Sequence, residues 1–144
     1  MNPYFEQVIL SASPIELVLL MYQRAIACVA DAREHLREGR IRERAQSINK
    51  TYAILTELMV SLDADKAPDL ARNLRQLYCY MQQRLIEANL KQKDAPLEET
   101  GRLLSTLADA WQQVPQPRDP AEYRSRESHS GEAQDDSNYE VVFA

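Results

Sequence analysis

A chain of 144 residues, 44% hydrophobic and 27% charged, has room for one domain and a tail. Only three glycines and seven prolines punctuate it and no run alternates polar with apolar residues, which excludes a sheet-rich fold and leaves an all-α class. A net charge of −5 argues against a nucleic-acid partner; no stretch approaches the roughly 18 apolar residues that cross a bilayer and no export signal is visible, so a cytoplasmic protein without membrane insertion is expected.

The chain opens with an apolar segment, residues 1–12, that holds Tyr4, Phe5, Val8, Ile9 and Leu10 ahead of the first helix start. Burying those five side chains would yield about 7–15 kcal/mol, whereas ordering ten residues of backbone costs about 10–20 kcal/mol. The near balance suits a displaceable flap over a binding groove better than a fixed element.

In SASPIE, Ser13 can cap a helix, Pro14 suits its first position, and Glu16 can reach back to the cap. This first helix is expected to run to about Glu38, where Gly39 supplies the left-handed residue of a helix end. Val18, Met21, Ala25, Val29, Ala32 and Leu36 repeat by threes and fours as its core stripe. The second helix has the cleanest period in the chain: Ile41, Ala45, Ile48, Tyr52, Leu55, Met59 and Leu62 read as a bundle seam. A third helix begins near Pro68, with Leu70, Leu74, Leu77, Met81 and Leu85 as its stripe. A fourth, capped by Asp94 and with Pro96 in its first turn, carries Leu97, Leu104, Leu107, Trp111 and Val114. Long helices and short connections predict an antiparallel up-and-down bundle of four main helices over residues 13–114.

Residues 115–144 lack period and are polar and proline-punctuated, which predicts a disordered acidic tail. Residues 117–144 hold three basic and seven acidic side chains, hence −4 of the total −5. The terminal YEVVFA is apolar enough for a short docking motif, although a chain end without a role is the simpler reading.

Once the core stripes are removed, a second apolar set remains. Ile15, Leu19, Tyr22 and Ile26 lie to the side of the first stripe, Ile54 and Leu58 beside the second, Tyr78 and Ile86 beside the third, and Leu103 and Ala110 beside the fourth. Wide core stripes would absorb some of these; as a set they predict an outward groove for an amphipathic partner. Catalytic signals are missing. His35 and His129 are the two histidines, no ExxH, HExxH, GxGxxG or P-loop spacing occurs, and Cys28 and Cys79 sit in helical patterns as buried thiols. No enzyme, metal or cofactor is expected, and His35 reads as a residue near a helix C-terminus.

NPY near the start, SASPIELVLLMYQRAI, NLRQLYCYMQQRLIEANL and LLSTLADAW resemble, in order and over about residues 2–114, the flagellin-specific export chaperones of the FliS family. The resemblance implies a cytosolic helical bundle that binds the disordered C-terminal segment of flagellin, blocks premature filament assembly, and passes the complex to the cytoplasmic domain of the flagellar export gate. It further implies an N-terminal segment that occupies part of the groove until flagellin displaces it, and a secondary partner such as an anti-sigma factor. Tyr4 stands where the family has its N-terminal tyrosine, and Ser13 and Pro14 match its first helix start. Leu17, Tyr22, Ala25 and Ile26 match its first-helix signature, Asn73, Leu74, Leu77, Tyr78 and Tyr80 its third helix, and Trp111 its late tryptophan. Gln23 and Arg24 replace the acid and glycine common there, DADKAPD lacks a glycine pair, and the spacing from NPY to SASP is short. A self-associating bundle, or a regulator that sequesters another protein, is the alternative from a different class.

Overall fold

The computed structural model describes residues 14–114, all in four helices and their connections: α1 (Pro14–Arg37), α2 (Ile41–Val60), α3 (Pro68–Lys91) and α4 (Ala95–Gln112). Ser13, the expected cap, the flap 1–12 and the tail 115–144 lie outside the described residues.

The end of α1 follows from Gly39. At φ 70° it reverses the chain, so that its N–H donates to the Leu36 carbonyl (3.3 Å) and the Arg40 N–H to the His35 carbonyl (2.9 Å), satisfying carbonyls the helix leaves open. At the end of α3 the same conformation falls on Gln92 (φ 54°, ψ 47°), a residue with a Cβ, and the N–H groups of Gln92 and Lys93 both reach the Ala88 carbonyl. Pro68 and Pro96 stand in first turns, where a missing N–H leaves no bond unmade. Asp94 precedes α4, but its side chain makes no cap. Both carboxylate oxygens instead accept from Arg33, at 2.8 Å from Nε and 2.8 Å from Nη2. This two-pronged bond holds the Asp94 carboxyl below the usual range and ties the head of α4 to α1.

The helices pack as a ring: α1 on α2 and α4, α2 on α3, and α3 on α4. Neighbours run antiparallel. Arg33, late in α1, meets the start of α4, whereas Trp111, late in α4, meets Tyr22, early in α1. Likewise Arg44 at the start of α2 bonds Asn89 near the end of α3, and Met59 near the end of α2 touches Cys79.

The core stripe of α1 follows the sequence pattern, except that Ile15 and Tyr22 are buried while Met21 and Leu36 are half-buried. On α2 the difference is larger. Its buried face is Arg44, Ser47, Ile48, Thr51, Leu55 and Leu58, whereas Ile41 and Tyr52 of the expected seam are 60% and 38% exposed. The helix is rotated toward its small and polar residues because their polar groups find partners locally. The Thr51 hydroxyl donates to the Ser47 carbonyl at 3.0 Å, and Arg44 donates to the Asn89 side chain (3.2 Å) and carbonyl (3.5 Å) at the negative end of α3. Thr100 on α4 repeats the device with the Pro96 carbonyl.

Candidate partner-binding surface

Ile15, Tyr22, Leu58 and Tyr78, read from the sequence as outward groove residues, are instead at most 2% exposed and belong to the core. Burial of the two tyrosines depends on polar partners. Their hydroxyls hydrogen-bond each other across the bundle, and the Trp111 indole N–H donates to the Tyr22 oxygen at 3.2 Å. The rings lie with centroids 6.5 Å apart at 49°, so α1, α3 and α4 meet at one point of the core. Burial pushes both phenols well above their ordinary range.

Leu19, Ile26, Ile54 and Leu103 are half-buried against that core, and Ile86 is 47% exposed. They do not converge on one groove. Leu19 and Ile26 precede Arg33 by whole pairs of turns and therefore share its side, toward α4. Ile54 lies one turn after Lys50, whose charge acts on Cys28 of α1, and so edges the α1–α2 seam. Leu103 follows Glu99, which bonds Tyr80 and Arg84 of α3, and edges the α3–α4 seam. Ile86 follows Gln82, whose amide donates to the Tyr52 carbonyl (3.2 Å) and Thr56 hydroxyl (2.9 Å) of α2, and edges the α2–α3 seam. Each of the four seams thus carries a part-open apolar side chain. The flap residues Tyr4, Phe5, Val8, Ile9 and Leu10 lie outside the described residues.

Sequence reasoning missed the most exposed of these positions. Ile41, Tyr52 and Leu90, the last 77% exposed, join Ile86 along α2–α3; the period of Ile41 and Tyr52 imitates a core stripe, and Leu90 belongs to none of the expected stripes. An open cleft of about 400 Å³ between α3 and α4 is lined by Arg84, Glu98, Glu99, Arg102 and Leu103. Its charges already pair, Arg84 with Glu99 at 3.0 Å and Arg102 with Glu98 at 3.7 Å, which leaves little for a partner to neutralise. Among the described residues no group of three or more His, Cys, Asp or Glu is placed to hold a metal ion, and no helix is long and apolar enough to cross a membrane.

Comparison with known proteins gives the family of this bundle. The family model described as flagellar protein FliS matches residues 1–118. The chain belongs to the FliS family. It is 34% identical over 110 residues to the flagellar secretion chaperone FliS of Salmonella typhimurium, covering 76% of this chain and 82% of that one. To FliSB of Pseudomonas aeruginosa it is 34% identical over 100 residues (69% and 79%), and to FliS of Bacillus subtilis 26% over 116 residues (78% and 86%). FliS is a family of flagellar secretion chaperones rather than enzymes, which implies flagellar proteins as partners.

Proposed function

We propose that this FliS-family bundle is a cytoplasmic chaperone that binds the disordered C-terminal segment of flagellin, prevents its premature polymerisation, and delivers it to the cytoplasmic domain of the flagellar type III export gate. The observation that carries the reading is the spread of half-open apolar residues over all four seams, Leu19, Ile26, Ile54, Ile86 and Leu103. A short peptide fills one groove; a long guest of alternating extended and helical pieces can cover several. A guest of that kind is disordered before capture and folds on the bundle, so it brings its own apolar stripe and hydrogen bonds.

Size-exclusion chromatography with intact flagellin, beside flagellin lacking its C-terminal segment, tests the assignment. A one-to-one complex is expected with the first and none with the second. Ile26→Asp should weaken the complex by at least about tenfold while leaving the far-ultraviolet helix signal unchanged, since Ile26 is only half-buried. Equal binding of both flagellins would overturn the assignment. A protein that stays dimeric on dilution and ignores flagellin would favour the self-associating reading.

A further inference from the structure

The α2–α3 seam is unlike the other three. Ile41, Tyr52 and Met59 fall on one side of α2, about three and two turns apart, and Cys79, Ile86 and Leu90 fall on one side of α3, about two turns and one turn apart. The contacts Met59–Cys79 (3.7 Å), Tyr52–Gln82 (3.2 Å) and Arg44–Asn89 (3.2 Å) set these two rows side by side in antiparallel register. Four of the six large hydrophobic side chains most exposed among the described residues lie on this one track: Ile41 at 60%, Tyr52 at 38%, Ile86 at 47% and Leu90 at 77%. The track is also free of acid. Positions 41, 45, 52, 56 and 59 of α2 and 75, 79, 82, 86 and 90 of α3 include no Asp or Glu, in a chain with 22 of them. Arg75 and Arg42, the latter in the first turn of α2, are exposed beside it, whereas Arg44 is buried with its guanidinium held by the neutral acceptors of Asn89.

We propose that this seam is covered, in the chain by itself, by the chain's own C-terminal segment, residues 135–144 (DDSNYEVVFA). That segment has the complementary composition. Tyr139, Val141, Val142 and Phe143 match the apolar track, and Asp135, Asp136 and Glu140 match its positive border. The N-terminal segment has apolar residues but a single acid, Glu6, within residues 1–12. Length permits the contact. The connecting residues 115–134 number 20 and span up to about 70 Å when extended, against about 36 Å for the length of a bundle helix. A flexible tether of this kind gives an effective concentration on the order of 1 mM, so a contact with an intrinsic Kd of about 0.1–1 mM is occupied half of the time or more. A guest reaching this seam, on the reading proposed above, competes with the tail for it.

Cys79, expected from the sequence to be buried, is exposed in the track and reports its coverage, whereas Cys28 is half-buried. In full-length protein carrying Cys28→Ser, the rate of Cys79 modification by a chromogenic disulfide reagent should rise roughly two- to tenfold when Val141, Val142 and Phe143 are all changed to Ser, following the occupancy above. A synthetic peptide of residues 135–144 at about 1 mM should slow the triple variant again by a similar factor. Both rates should be independent of protein concentration. Equal rates in the two proteins would overturn the proposal. So would rates that climb on dilution, which would make a second copy the cover, or an acceleration by Val8→Ser and Ile9→Ser with none from the tail substitutions. No guest protein enters the experiment, so its outcome is separate from that of the flagellin test.

Discussion

Tyr22 and Tyr78 occupy positions where a leucine would pack without needing a partner, and each is fully buried. Their hydroxyls therefore have to bond within the core, and they do so with each other and with Trp111. At neutral pH, Tyr22→Phe removes two of these bonds and should cost about 2 kcal/mol, whereas Tyr78→Phe removes one and should cost about 1 kcal/mol. The pH dependence is sharper as a diagnostic. Both folded-state pKa values are raised by burial. Above about pH 10 the unfolded chain releases these protons and the folded bundle keeps them; the unfolded state binds fewer protons, and stability falls as pH rises. Each tyrosine adds up to about 1.4 kcal/mol per pH unit to that slope, and below pH 10 its contribution is fully retained. Urea midpoints measured from pH 8 to 11 should show the slope, and Tyr22→Phe should roughly halve the part due to the pair. An unchanged slope in Tyr22→Phe would mean that the phenol is not shielded.

At the scale of the helix, boundaries were legible in the sequence and facings less so. Gly39, Pro68 and Pro96 mark turns and first positions because their backbone chemistry admits few other uses, and the ends of α1, α3 and α4 fall beside them. The facing of α2 departs from its hydrophobic period because that period counts carbon, while burial also admits polar groups that bond locally. Ser47, Thr51 and Arg44 took the interior and turned Ile41 and Tyr52 outward. Nothing in the sequence marks two tyrosines as a pair across the bundle, and Tyr22 and Tyr78, with Ile15 and Leu58, leave the predicted groove for the core. Among the described residues Gln92 is the one non-glycine residue at positive φ. Left-handed geometry is strained for a side chain with a Cβ, so Gln92→Gly should stabilise the bundle by about 1 kcal/mol, and Gly39→Ala should destabilise it by a similar amount. For a domain of this size the two should move the thermal midpoint by about 4–8 °C in opposite directions. A Gln92→Gly protein that melts lower than the natural one would show that the glutamine side chain makes a contact worth more than the strain.

At the scale of the molecule, the arrangement of open side chains makes a claim about the guest that no single residue makes. Ile26, Ile54, Ile86 and Leu103 edge four different seams, with packed helices between them. If one guest chain covers the bundle on several sides, an aspartate at any of the four breaks one patch and leaves the others intact, and each change should weaken flagellin binding by at least about tenfold, or 1.4 kcal/mol. Patches that far apart share no side chains, so their effects should add in free energy, and the pair Ile26→Asp with Leu103→Asp should weaken binding by the product of the single effects. A guest confined to one groove predicts a different matrix: one substitution abolishes binding, the others do nothing, and no pair exceeds its worse member. Titration calorimetry on the four single variants and two doubles separates the cases. Because all four side chains are only partly buried, their helical signal and urea midpoints should stay close to those of the natural protein, which keeps a loss of binding from being a loss of fold.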